Sequence, residues 1–198
     1  MISGVRGLFA GVVTVAVLST SFAGAAHGAW DIDALMRSLS EVKTAKGRFV
    51  ERKHMAILTA PLEFSGTLLY QAPGRIEKRT TAPDPLAMVV DGDRLVIEDG
   101  TSNRRRTLML REYPVVWAFV ESVRSTLAGD LVQLRRFYDV RLEGDERNWR
   151  LLLIPIGTEM RDMVMEIRLG GRGSRITTIE ILEAGGGRSL MTITGDAP

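Results

Sequence analysis

Cysteine is absent from the 198 residues, and histidine occurs only as His27 and His54. Without a thiol there is no cysteine nucleophile, disulfide, cysteine-ligated zinc or lipid attached through an N-terminal cysteine. A histidine general base or metal site would rest on His54 alone. His54 stands in the charged stretch Glu51-Arg52-Lys53-His54, which reads as a solvated strand end. An excess of one charge is lacking too: 26 Lys+Arg face 24 Asp+Glu, which removes any bulk electrostatic case for a nucleic-acid partner. No Gly-x-Ser-x-Gly elbow, His-Glu-x-x-His helix or phosphate-binding Gly-x-x-x-x-Gly-Lys appears. Asp91-Gly92-Asp93 lacks the spaced carboxylates and closing Glu of a calcium loop and reads as a hairpin turn. No catalytic residue, metal site or cofactor is therefore expected, and the chain does not read as an enzyme.

What is present is a globular composition, 45% hydrophobic and 25% charged, which suits one folded domain. Residues 1–28 stand apart. A single cation, Arg6, precedes an apolar run from Leu8 to Phe22, and small residues follow in Ala23-Gly24-Ala25-Ala26-His27-Gly28. This is the pattern of a secretory signal peptide cleaved after Ala25 or Gly28, and the run is shorter than the ~20 residues of a membrane span. The expected working domain is 29–198, exported to the periplasm.

Asp31 is a plausible N-cap, and Ile32, Leu35, Met36, Leu39 and Val42 form an apolar stripe that predicts a helix over 31–44. After Gly47 the period changes to two. Leu62, Phe64, Gly66, Leu68 and Tyr70 alternate with polar residues, and strands are predicted over 75–80, 85–90, 94–99 and 104–110, joined by tight turns. Pro114 opens a helix over 115–128, with Val116, Phe119, Val120, Val123 and Leu127 on its apolar face and Glu121, Ser122, Arg124 and Ser125 off it. A short helix through about 136 and strands over 137–144, 148–155, 163–170, 176–183 and 188–194 follow. Eleven short antiparallel strands must curl to cover an apolar face. The fold class is therefore mainly β (α+β), an open antiparallel half-barrel with a helical lid on its concave face. The run Arg104-Arg105-Arg106 alternates faces on a strand, so it reads as an edge guard or as a docking patch for an acidic partner or anionic headgroup.

This order of elements resembles the periplasmic lipoprotein carriers of the LolA family, and several segments carry the likeness. Phe49-Val50-Glu51 is similar to the family's Phe-x-Gln opening. Phe64-Ser65-Gly66-Thr67-Leu68-Leu69-Tyr70 with Pro73-Gly74 is similar to its second strand and turn. Met88-Val89-Val90-Asp91-Gly92-Asp93-Arg94-Leu95-Val96-Ile97 is similar to its Asp-Gly hairpin. The resemblance implies a cavity for the acyl chains of a lipoprotein or other lipid-like cargo, a monomer, an inner-membrane donor and an outer-membrane acceptor. Its wall would comprise Phe49, Leu62, Phe64, Leu68, Tyr70, Met88, Val90, Leu95 and Ile97, and its lid Trp117, Phe119, Val120, Val123 and Leu127; ordinary core packing would use the same residues. Two departures stand out. Ala72 occupies the position of the family's lid-closing Arg, with Arg75 and Arg79 as nearby substitutes, and Lys78 stands where the family has Trp. A sensor or adaptor of the same fold, binding an envelope protein, is the alternative.

Overall fold

The computed structural model describes residues 30–195; the expected leader over 1–28 and His27 lie outside them. Asp31 caps α1 (Ile32–Ser40), its Oδ1 accepting from the Ala34 amide at 2.8 Å. The helix stops short of the expected residue 44. The Ala72 amide donates to the Lys43 carbonyl and Thr44 pairs with Gln71, so sheet pairing claims the residues that the apolar stripe ran through. The first strand, β1 (Thr44–His54), accordingly starts three residues before the expected Gly47.

A meander follows: β2 (Leu62–Gln71), β3 (Arg75–Ala82), β4 (Leu86–Asp91), β5 (Arg94–Asp99) and β6 (Arg104–Met109). A 3-10 turn (Leu110–Glu112) leads into α2 (Pro114–Ala128), and α3 (Leu131–Leu134) is a single turn capped by Asp130. The second meander is β7 (Tyr138–Asp145), β8 (Asn148–Pro155), β9 (Val164–Arg172), β10 (Arg175–Glu183) and β11 (Arg188–Thr194). A helix not foreseen, α4 (Thr158–Arg161), joins β8 to β9; four residues are too few to show a period. Together the strands form one eleven-stranded antiparallel sheet in the order β6-β5-β4-β3-β2-β1-β11-β10-β9-β8-β7, open at β6 and β7, as expected.

Register sorts the side chains. Phe49 lies opposite Gly66 and Ile193, Leu68 opposite Lys78, Met88 opposite Ile97, and Leu151 opposite Leu169. Residues directly opposite share a face, so all of these lie on the face that the helices cover, called the inner face below. On the outer face the ladder carries ion pairs, including Arg52 with Glu63 at 2.8 Å and Arg168 with Glu166 and Glu180 at 2.8 and 3.3 Å. The alternation read from the sequence is thus apolar inward and charged outward.

Two apolar clusters fill most of the inner face. In the larger, Leu35, Met36 and Leu39 of α1, Leu134 of α3 and Met160 of α4 pack on Leu151, Leu153, Ile167 and Leu169. The smaller comprises Val90, Leu95 and Leu110, with Ile76, Met88, Ile97 and Leu108 against them. Trp117 touches both, and its ring meets Phe137 edge-on at 5.0 Å. A single side chain of α2 therefore ties the two halves of the sheet together.

Candidate functional site

Helix α2 begins at Pro114, where proline's fixed φ suits the first turn, and ends at Gly129, whose φ of 70° provides the left-handed cap. Of the expected lid residues, Phe119 packs on the larger cluster, Val120 on the smaller and Trp117 on both. Val116, expected on the apolar face, is exposed. The opposite error concerns Ser122 and Ser125, expected off that face: both are buried, and Thr126 beside them is fully so. Their hydroxyls are satisfied inside the helix. Ser122 Oγ donates to the Phe119 carbonyl, Thr126 Oγ1 to the Ser122 carbonyl and Ser125 Oγ to Glu121 Oε1. Satisfied hydroxyls remove the penalty for burying them, and short side chains let α2 sit close to its neighbours. Tyr138 adds an anchor. Its hydroxyl donates to the Ala118 carbonyl at 3.3 Å, and burial, partly offset by a hydrogen bond with Ser122, pushes its pKa up to about 12.

Between the C-terminal half of α2 and the centre of the sheet lies a cavity of about 350 Å³. Leu39 and Val42 close one side, Val123 and Leu127 of α2 form the roof, and Gly47, Leu68, Tyr70, Ile76, Ile176, Ile179 and Ile193 line the sheet side. Its volume is at the lower end of the ~300–1,000 Å³ typical of small-molecule sites. Of the nine expected wall residues, only Leu68 and Tyr70 border it. Val90 and Leu95 are buried in the smaller cluster, Met88 and Ile97 pack against that cluster, and Leu62 is 43% exposed. Phe64 and Phe49 share the inner face without reaching the cavity. The wall residues Ile176, Ile179 and Ile193 were missed. They stand in strands read correctly, but only the pairing of β1 with β11 brings them beside Gly47.

The inner face is not uniformly apolar. Lys78 Nζ lies 5.0 Å from the centre of the Phe49 ring and 2.5 Å from Glu51 Oε2, while Ser189 Oγ donates to Glu51 Oε1 at 2.6 Å. Burial pushes the Glu51 carboxyl up, but the hydrogen bonds from Lys78 and Ser189 and the charges of Lys78 and Lys53 outweigh it, so it titrates below the ordinary value. Charge thus sits on the inner face beyond Phe49, on the side away from the cavity.

The family model described as outer membrane lipoprotein carrier protein LolA-like matches residues 23–197, nearly the whole chain. The chain belongs to this LolA-like family. Among curated proteins none matches it. Among solved structures it is similar to a LolA superfamily protein from Nitrosomonas europaea, at 13% identity, covering 84% of this chain and 94% of that one, with a TM-score of 0.45. It is also similar to MucB, at 15% identity over 83% and 58% of the two chains with a TM-score of 0.47, and to LprF from Mycobacterium bovis, at 10% over 86% and 96% with a TM-score of 0.37.

In this LolA-like chain Ala72, which the resemblance sets at the family's lid-closing position, is exposed in the β2–β3 turn. The two substitutes proposed from sequence are otherwise engaged. Arg75 pairs with Asp91 at 3.1 Å and lies 3.6 Å from Glu77, and Arg79 pairs with Glu77, all on the outer face. The tie comes instead from the helix. Arg124 of α2 reaches down to the sheet, donates from Nη2 to the Gly92 carbonyl at 2.7 Å, and lays its stem against Gly74 of the β2–β3 turn. Glu121 Oε2 lies 3.3 Å from Arg124 Nη1 and orients it. No helix among the described residues is long and apolar enough to cross a membrane, and no group of three or more metal-ligating side chains occurs among them.

Proposed function

We propose that the chain is a periplasmic carrier that shelters acyl chains of a lipoprotein or lipid-like cargo between α1, α2 and the sheet, and passes them from an inner-membrane donor toward an outer-membrane acceptor. On this reading residues 1–28 are a cleaved leader, 29–198 the carrier domain, and the working form a monomer. The observation that carries the reading is the apolar cavity roofed by Val123 and Leu127. A ~14-methylene chain buried at about 0.8 kcal/mol per CH₂ would gain about 11 kcal/mol, too much for ready release unless something competes. The roof supplies the competition, because loading must displace α2 side chains already packed in the two clusters. Trp117 is the α2 side chain that packs on both clusters. Stopped-flow uptake of a fluorescent acyl probe tests the reading: Trp117→Ala is expected to take up probe several-fold faster than the parent, and equal rates would remove α2 from the mechanism. Mass spectrometry of organic extracts of the exported protein would identify the cargo.

The ion pair on the inner face favours a second reading, a sensor or adaptor that binds an envelope protein without ferrying lipid. Lys78 and Glu51 place charge where an acyl-only groove would have none. Absence of any co-purifying lipid, with no uptake of acyl probe, would select it.

A further inference from the structure

The two open edges of the sheet differ. On β7, Arg141 pairs with Asp139 at 2.6 Å, Glu143 lies 3.7 Å from Arg150 of β8, and Asp145 accepts from the Arg147 and Asn148 amides, so that edge presents no cation without a partner among the described residues. On β6 the stretch Arg104-Arg105-Arg106-Thr107 is wholly exposed, and β5 is its only neighbour in the sheet. Arg105 points to the outer face, 3.4 Å from Glu98. Arg104 and Arg106, two residues apart, share the inner face, and neither has an ion-pair partner among the described residues.

The charge of Arg104 acts on Asp99 without contacting it. Asp99 stands directly across the ladder from Arg104, but its carboxylate is committed to the β5–β6 turn. Oδ1 accepts from the Thr101 and Ser102 amides at 2.9 and 3.1 Å, and Oδ2 from Ser102 Oγ at 2.6 Å. Across from Arg106 stands Ile97. Beside the edge an open groove of about 580 Å³ runs past Arg104, Arg105 and Arg79 toward Leu86 and Pro85. An unpaired row of backbone N–H and C=O groups thus coincides with two guanidinium groups at strand spacing that lack an ion-pair contact among the described residues, one of which, Arg104, also borders the groove.

We propose that β6 is a docking edge that accepts an extended acidic segment of a partner protein as an added strand. Backbone hydrogen bonds along the free edge supply the affinity, and carboxylates on alternate residues of the partner meet Arg104 and Arg106. Guanidinium suits this role because its planar fork takes a carboxylate in two hydrogen bonds. The inference is independent of the cargo reading, since the edge lies apart from the cavity.

The test uses a fluorescein-labelled peptide of alternating glutamate and valine, its lysine-valine counterpart, and vesicles of phosphatidylglycerol. Fluorescence anisotropy is expected to show salt-sensitive binding of the acidic peptide only. Amide exchange is expected to slow over residues 104–107, and Arg104→Glu with Arg106→Glu to weaken binding at least tenfold. Arg105→Ala, which removes an arginine already beside Glu98, should change it less than threefold. Circular dichroism establishes that the variants are folded. Equal binding by the doubly reversed variant, or protection that maps elsewhere, would overturn the proposal. So would an arginine-dependent affinity for the vesicles without peptide binding, which would make the site a headgroup patch. If the parent ignores the peptide and the doubly reversed variant self-associates, the arginines only guard the edge, and the proposal fails.

Discussion

Glu51 and Lys78 show how two neighbouring departures from a family pattern make sense together. The resemblance read from the sequence sets Gln and Trp at these positions in the family; here a carboxylate and an ammonium occupy them and pair across β1, β2 and β3 at 2.5 Å. Removing one partner leaves the other charge on a mostly buried face, so Lys78→Met and Glu51→Gln should each cost about 2–3 kcal/mol. The double variant should cost less than the sum by at least 1 kcal/mol, which urea unfolding of all four proteins measures. The pH dependence has a fixed sign. The native carboxyl titrates below its ordinary 4.5, so its contribution is fully present above that value and is lost as pH falls through the depressed native pKa. The stability gap between the parent and Glu51→Gln is therefore expected to be constant near neutrality and to close in acid below about 4.5. A gap that widens in acid would mean the ion pair is not what stabilises Glu51.

Helix α2 shows which parts of an element are legible in sequence. Its start at Pro114, its end at Gly129 and its sheet-facing Phe119, Val120, Val123 and Leu127 follow from proline, glycine and the apolar period, which also includes the exposed Val116 and leaves out Trp117, the residue that packs on both clusters. What the period hides is the burial of Ser122, Ser125 and Thr126, because hydropathy cannot register a hydroxyl that its own helix satisfies. It also hides Arg124, a charged residue whose contacts, Gly92 and Gly74, lie in remote hairpins. The strands were legible in nearly every case because one face is apolar and the other charged, whereas which strand-borne isoleucines reach the cavity depends on the pairing of β1 with β11. Two expectations belong at this scale. A Cβ on Gly129 would lie 2.1 Å from the Met36 carbonyl oxygen of α1, while one on Gly186, with a φ of 80°, would meet nothing within 4 Å. Gly129→Ala should therefore cost more than 2 kcal/mol, and Gly186→Ala only the conformational ~1 kcal/mol, by thermal unfolding. Arg124→Met keeps the stem over Gly74 but loses the hydrogen bond to Gly92 and the ion pair with Glu121. Since Arg124 Nε is itself buried without a partner, the tie holds α2 by about 1–2 kcal/mol net. Acyl-probe uptake should then rise roughly tenfold, and an unchanged rate would show that Arg124 only packs.

At the scale of the whole molecule, the link between the two meanders holds the curvature. Strands β6 and β7 lie at opposite edges of eleven strands, so ten gaps of ~4.8 Å would separate them by ~48 Å in a flat sheet. The link between them contains the 15-residue α2, only ~22 Å long, and crosses the inner face. Because the link packs on clusters from both halves of the sheet, it holds the sheet curled, and α2 becomes a strap fixed at both ends, which can slide or lift but not swing clear. The two halves do not depend on the strap alone. Strand β1 pairs with β11 from Arg48 opposite Thr194 to His54 opposite Arg188, and α1, from the first half, packs on β8 and β9 of the second. A protease site inserted between the exposed Glu112 and Tyr113 should then give a nicked protein that stays one species on size exclusion, because β1–β11 pairing and the α1 contacts survive the cut. With one end of the strap freed, acyl-probe uptake should accelerate, and the thermal transition should move down by several degrees, as ~1–2 kcal/mol of lost constraint implies for a chain of this size. Separation into two fragments after nicking would show that the strap, rather than the seam between β1 and β11, holds the sheet together; an intact nicked species with unaltered uptake would show that closure does not depend on α2 being anchored at both ends.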